Sequence, residues 1–248
     1  MKAPRQAGGR ESRAVLVVVA SRVRCSAEAR QANAVRKKPP DNTPAGSRGV
    51  ATTARRGSHA RELRIIGGQW RGRKLRFPAG TELRPTPDRV RETVFNWLTP
   101  HIIGANCLDL FAGSGALGLE ALSRGAASAE FIDSEPRVTF ALQERLLEWR
   151  ATGGRVRTGD AIAYLRAGRV ADASRFDVVF VDPPFASNLL GPALHALSAD
   201  DWLTDAALIY IEAPAKAGAP QLPAGWTLLR SKTAGEVGYH LARMGSGT

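Results

Sequence analysis

Cysteine is nearly missing from this sequence: Cys25 and Cys107 are the only two in 248 residues. Two thiols so far apart exclude a disulfide framework and a cysteine-rich metal site. Histidine is sparse as well. His59, His101, His195 and His240 show no metal-ligand spacing, so each reads as structural and no metal is expected. No apolar run approaches the length of a membrane span. The stretch Ala14–Ala20 (AVLVVVA) faintly imitates a secretory leader, but it is short for one and Arg22 and Arg24 follow at once. The sequence is therefore read as that of a cytoplasmic protein. Ser114 stands between two glycines, yet the G-x-S-x-G elbow of hydrolases is absent.

Acid is scarce only near the start. Residues 1–60 hold 13 Lys+Arg against 3 Asp+Glu, residues 61–91 hold 9 against 3, and the remainder holds 13 against 17. A slightly acidic body thus carries a basic first third. A basic arm attracts polyanions by releasing their counterions, and an acidic pocket suits a cationic ligand. A GC-rich genome would explain much of the arginine in 1–60, but it explains 61–91 less well. Residues 1–60 are rich in Arg, Ala, Gly, Ser and Pro without a sustained period. Such a segment cannot bury enough apolar surface to offset its ordering entropy, so a disordered tail is expected there.

Order is expected from Leu63. LRIIGG and QWRGRKLRF read as two short strands around Gly67-Gly68, a basic hairpin. Pro85–Leu98 reads as a helix, with Thr86 as its N-cap, Pro87 in its first turn, and Val90, Val94, Trp97 and Leu98 as its apolar stripe. Strands and helices then alternate. Strands are expected at 106–111, 129–132, 155–158, 177–181 and 207–212, with helices ending at Arg124, over 136–150 and from Ala161. An antiparallel pair over 226–232 and 237–243 closes the chain around Gly235. This alternation predicts a doubly wound, Rossmann-like α/β sheet.

Three groups of residues carry chemistry. Gly113, Gly115 and Gly118 have G-x-G-x-x-G spacing after a strand and at the opening of a helix. That context brings a ligand's polar groups against bare backbone and a helix N-terminus. Asp133, twenty positions after Gly113, ends the next strand, where an acid hydrogen-bonds ribose hydroxyls. A dinucleotide would fit these features equally well. Asp109 at the end of the first strand tilts the balance, because an acid there suits the ammonium of a methionine moiety and disfavours a pyrophosphate. Asp160 stands where it could meet an adenine amino group.

The second group is Asp182-Pro183-Pro184-Phe185, directly after an apolar strand. Each proline fixes its own φ and forces the residue before it to be extended. A rigid corner then offers the Asp182 carboxylate and the Pro183 carbonyl as acceptors for the two N–H bonds of an exocyclic amine. Phe185 can stack on the base that carries the amine. Taken alone, the same four residues could simply end a strand. In the third group, Arg64, Arg71, Arg73, Lys74 and Arg76 surround Trp70 and Phe77, with Arg84, Arg89 and Arg91 following. Basic residues interleaved with aromatics suit an RNA surface. A solvated strand face with Trp70 packed on the domain fits equally well.

In this order, RIIGGQWRGRKL, LRPTPDRVRETVFNWL, CLDLFAGSGALGLEALSRGA and VDPPF resemble the RsmD family of bacterial 16S ribosomal RNA guanine-N2 methyltransferases. The resemblance runs from about Leu63 to Arg243 and includes GEVGYHL. It implies a class I S-adenosylmethionine-dependent methyltransferase fold, with its last strand antiparallel, acting on 16S RNA or a small-subunit assembly particle. By motif position, Asp109, Phe111, Gly113, Gly115, Asp133 and Asp160 would serve the cofactor, and Asp182 to Phe185 the target base. Asp133 stands where the family often has glutamate. Residues 1–60 have no counterpart in that family, so the expected organisation is a tail over 1–60, an RNA-binding hairpin and helix over 61–100, and a catalytic domain over 101–248, working as a monomer. A DNA adenine-N6 methyltransferase would share the glycine loop and the D-P-P-F corner, but usually needs a larger target-recognition region. A nicotinamide dehydrogenase gives no reason for D-P-P-F, and a non-catalytic assembly factor could have lost the acceptors at 182 and 183.

Overall fold

A computed structural model of the chain describes residues 62–76, 86–170, 173–199 and 201–245. The expected tail, Phe77 and Arg84 lie outside the described residues. In chain order, β1 (Glu62–Arg64) and β2 (Lys74–Arg76) form an antiparallel hairpin, and α1 (Asp88–Ile102) leads into the main sheet. There follow β3 (Asn106–Asp109), α2 (Ala116–Ser123), β4 (Ser128–Asp133), α3 (Pro136–Glu148) and β5 (Gly154–Thr158). Then come α4 (Ala161–Arg166), β6 (Phe176–Val181), α5 (Leu190–Ala199), β7 (Leu203–Pro214), β8 (Trp226–Ala234) and β9 (Val237–Met244).

The two-residue period of a strand sends neighbouring side chains to opposite faces, so a strand apolar throughout must be covered on both. On β6, Val178 and Phe180 enter one core cluster while Val179 and Val181 enter the other. On β7, Leu208 and Tyr210 separate from Ile209 and Ile211 in the same way. Apolar residues of α1, α2 and α3 complete the first cluster, and those of α4 and α5 the second. The sheet order is β5-β4-β3-β6-β7-β9-β8, parallel from β5 to β7, with β9 antiparallel to both of its neighbours. The chain winds outward from β3 to β5 and returns to β6 on the other side of β3. Strand order therefore reverses between β3 and β6, and the crevice at their carboxyl ends is where such sheets bind ligands.

Some elements differ from the sequence expectation. The strand expected over 207–212 extends over Leu203–Pro214, with a register shift between Phe176 and Val178 where it meets β6. Helix α5 has no counterpart in the sequence reading, because Gly191 and Pro192 in its first turn obscure the helical pattern. Helix α1 starts at Asp88 and continues past Leu98, through Pro100, to Ile102.

The hairpin is held by charge buried in α2. Glu120, fully buried, accepts from the backbone N–H of Ile66 and of Gly67, each at 2.8 Å, and from Arg124 Nε at 2.8 Å. Arg91 is also fully buried; its Nη2 donates to the Arg64 carbonyl at 2.7 Å and to Asp88 at 2.6 Å, and its Nη1 lies 3.6 Å from Glu120. A buried acid and guanidinium persist only as partners. Gly68 has φ 75, and a Cβ there would fall 1.8 Å from the Ser123 carbonyl oxygen, so only glycine lets the loop come this close. Trp70 corrects the sequence reading. Its ring is buried against Trp149, with centroids 5.2 Å apart, and its backbone N–H donates to Ser123 Oγ at 2.9 Å. A ring so enclosed anchors the hairpin and is not free to stack on a base.

Candidate active site

Three strand ends build the site. β3 delivers Asp109 beneath the glycine loop. The loop turns tightly because Gly113 (φ 49) and Gly115 (φ 71) both take left-handed conformations that a side chain would resist. Its backbone is tied to the neighbouring strands: the N–H of Leu110 donates to the Phe180 carbonyl at 3.1 Å, and that of Ala112 to Ile132 at 2.8 Å. Asp133, at the end of β4, accepts from the N–H of Gly113 at 2.8 Å and of Glu135 at 2.9 Å. Asp109 accepts from the N–H of Gly118 at 2.9 Å and is itself buried. Burial pushes its carboxyl up to about 7, against the pull of the Gly118 N–H and with a further push from the Asp133 charge. Phe111 is half-buried against the α4–α5 side of the sheet.

β6 delivers the D-P-P-F corner. Asp182 is half-buried, Pro183 buried, and Pro184 and Phe185 exposed. Ser187 closes the turn, donating both its N–H, at 2.8 Å, and its hydroxyl, at 2.6 Å, to the Pro184 carbonyl. The Pro184 acceptor is thereby occupied, whereas the Pro183 carbonyl takes part in no hydrogen bond among the described residues. Burial holds the Asp182 carboxyl well above the ordinary carboxylate range, and the charges of Glu212 and Asp109 add to it, while the Thr86 hydroxyl opposes.

β7 delivers a residue that the sequence reading missed. Glu212 is buried at its carboxyl end and accepts from Tyr210 Oη and from Thr86 Oγ1, each at 2.7 Å. Thr86 therefore does not cap α1 as expected; Pro87 precedes the helix and its side chain makes no capping bond. An acid ending an otherwise apolar parallel strand (LIYIE) was the available signal. Glu120, the lone acid of ALGLEALS, was another.

The remaining expected residues are more scattered. Asp160 is exposed and caps α4, accepting from the N–H of Ala163 at 2.8 Å. Arg64, Arg71, Arg73, Lys74 and Arg89 are exposed. Lys74 pairs with Glu62 at 2.8 Å, and the Arg73 guanidinium lies 5.4 Å from the centre of the Trp149 ring. The hairpin loop meets Ser123, at the far end of α2 from the glycine loop. Eight helical residues, about 12 Å at 1.5 Å per residue, separate the two. Arg71 and Arg73 thus lie towards the amino ends of the strands, while Thr86 reaches their carboxyl ends.

The family model described as Conserved hypothetical protein 95 matches residues 63–243. The chain belongs to this family. Among its relatives, Ribosomal RNA small subunit methyltransferase D of Escherichia coli (strain K12) is 50% identical over 180 residues, 73% of this chain and 89% of that protein. The Haemophilus influenzae protein of the same name is 44% identical over 183 residues, 73% of this chain and 93% of that protein. The solved structure of yhhF from Escherichia coli superposes with a TM-score of 0.68 at 49% identity, covering 75% of this chain and 99% of that one. The resemblance drawn from the sequence motifs is borne out, and the sheet is that of a class I methyltransferase fold.

Proposed function

We propose that the protein transfers a methyl group from S-adenosylmethionine to the exocyclic N2 amine of a guanine in 16S ribosomal RNA. One observation carries this reading: a glycine loop underlain by Asp109 stands beside a rigid Asp182-Pro183-Pro184-Phe185 corner at the strand-order reversal. The small-subunit RNA as polymer is supported by the names of the relatives.

The residues fit this cofactor. Asp133 supplies negative charge for a cationic ligand, such a ligand favours the ionised form of Asp109, and the half-buried Gly113 leaves loop backbone within reach. Asp133 already accepts two backbone N–H groups, yet a carboxylate has about four acceptor positions, which leaves room for ribose hydroxyls. Asp160 has one oxygen engaged by its cap and another for an adenine amino group. When bound, the cofactor supplies an electrophilic methyl group on a sulfonium.

The chain does the rest. The Asp182 carboxylate and the Pro183 carbonyl accept the two N–H bonds of the amine and hold its nitrogen in line with the methyl group. Asp182 stabilises the positive charge that develops on that nitrogen. Phe185, 37% exposed, stacks on the guanine. Arg64, Arg71, Arg73, Lys74 and Arg89 attract RNA phosphates along the flank of the domain, with Arg84 preceding Thr86 in the chain. We read the enzyme as a cytoplasmic monomer; among the described residues, no helix is long and apolar enough to cross a membrane.

The test is to incubate the protein with methyl-labelled S-adenosylmethionine and, separately, 16S RNA, small-subunit particles and DNA. Nucleoside analysis should find label in N2-methylguanosine from RNA or particles. Label in N6-methyladenine of DNA would overturn the substrate, and no transfer to any polymer would favour a non-catalytic assembly role.

A further inference from the structure

We propose that Glu212 is a positioning residue for methyl transfer: an anion fixed by Thr86 and Tyr210 beside Asp182, it makes the Asp182 carboxylate a stronger acceptor for the target amine. The inference rests on the methyltransferase reading above. In the β6–β7 ladder Phe180 pairs with Tyr210 and Val181 with Ile211, so Asp182, the first residue after β6, follows on beside Glu212 of β7. Such strands run about 4.8 Å apart. Both acids follow Phe180 and Tyr210 by two positions and so share their face of the sheet.

Glu212 is 3% exposed. A purely structural anchor for Thr86 would be served as well by a neutral amide, without the cost of enclosing a charge. Burial raises the Glu212 carboxyl, but two hydroxyls, Tyr210 Oη and Thr86 Oγ1, donate to the same carboxylate oxygen at 2.7 Å each and oppose that rise, so Glu212 ionises before Asp182, whose carboxyl is held well above the ordinary range. Asp182 faces Glu212 and Tyr210 from β7, Asp109 from β3 and Thr86 from the segment before α1. Tyr239 of β9 lies opposite Glu212 in the ladder. Among the described residues no lysine, arginine or histidine forms an ion pair with either acid. With no cation to absorb it, the Glu212 charge acts on Asp182 and raises its proton affinity, the direction its carboxyl shows. A more basic carboxylate is a better hydrogen-bond acceptor and follows the developing ammonium more closely. Thr86 also ties the chain entering α1 to the strand end where the target sits.

Glu212→Gln keeps an oxygen for both hydroxyls and removes the charge. Turnover requires ionised Asp182, so it falls as pH drops through the Asp182 pKa. In Glu212→Gln that acid limb should move to lower pH and the plateau kcat should fall, with cofactor affinity unchanged. An acid limb that stays in place would overturn the proposal even if kcat fell, because a structural role alone moves kcat without moving the limb. Carboxyl-carbon NMR of the wild-type protein provides a second check, with the Asp182 resonance assigned by its loss in Asp182→Asn. Asp182 titrating above the ordinary carboxylate range, with Glu212 ionising before it, supports the proposal; the reverse order refutes it. Should the wild-type protein transfer no methyl group, the functional reading fails, while the NMR titration still judges the pair.

Discussion

Asp109 should make the free protein less stable as pH rises. Its carboxyl is ordinarily half-protonated near 3.8 but only near 7 when buried under the glycine loop. Between these values the folded state binds more protons than the unfolded state, and stability falls with pH wherever that holds. A difference of about three pKa units at 1.36 kcal/mol each gives about 4 kcal/mol, lost as pH rises from about 4 to about 7. Asp109→Asn retains an oxygen for the Gly118 N–H, bonded now at 2.9 Å, and removes the titration. Urea unfolding of both proteins without cofactor at pH 4.5 and pH 8 (about the two ends of the linkage window) measures the effect. The stability of Asp109→Asn relative to wild type should rise by up to about 4 kcal/mol between the two conditions. Asp182 and Glu212 shift in the same direction but are present in both proteins, so they largely cancel from the difference. A difference that does not change with pH would refute the enclosed position of Asp109.

Three further substitutions separate anchoring from binding. Glu120→Ala leaves the buried Arg91 guanidinium with Asp88 as its one acid partner among the described residues and releases two backbone donors of the hairpin; chemical denaturation should show a loss of about 3–5 kcal/mol, and unchanged stability would remove Glu120 as the anchor. Asp133→Ala frees the Gly113 N–H and should weaken S-adenosylmethionine binding by roughly 1–3 kcal/mol in calorimetry, whereas an unchanged affinity in a folded variant would take Asp133 out of the cofactor site. Phe185→Ala should leave cofactor affinity alone and weaken RNA binding by about 1–3 kcal/mol, the scale of one lost stacking platform; equal RNA affinity would dismiss the stacking role.

The parts legible in the sequence are those written in local pattern. The apolar run 177–181, the glycine spacing of 113–118 and the prolines of 183–184 each determine backbone behaviour within a few residues, and each stands where expected. Pairings between distant residues were not legible. Thr86 looks like a helix cap in its own neighbourhood, but its acceptor, Glu212, is 126 positions away. Arg91 and Trp70 sit in a basic, aromatic stretch that suits RNA, yet both are buried, against Glu120 of α2 and against Trp149 just after α3, more than twenty residues on. Charge and ring are visible in a sequence, and burial is not. A lone acid inside an apolar segment is the exception, because it demands a partner wherever that partner lies, and Glu120 and Glu212 are both of this kind.

The most direct test of the account is the turnover of Asp182→Ala on 16S RNA or small-subunit particles, at saturating S-adenosylmethionine and with cofactor affinity measured in parallel. Asp182 meets the amine as its nitrogen gains positive charge, so its contribution belongs to the transition state more than to the ground state. The account predicts cofactor affinity close to wild type and a kcat lowered by about a hundredfold or more, the usual scale for one preorganised electrostatic contact. Near-normal turnover in a folded Asp182→Ala protein would contradict it and reduce the D-P-P-F corner to the end of a strand.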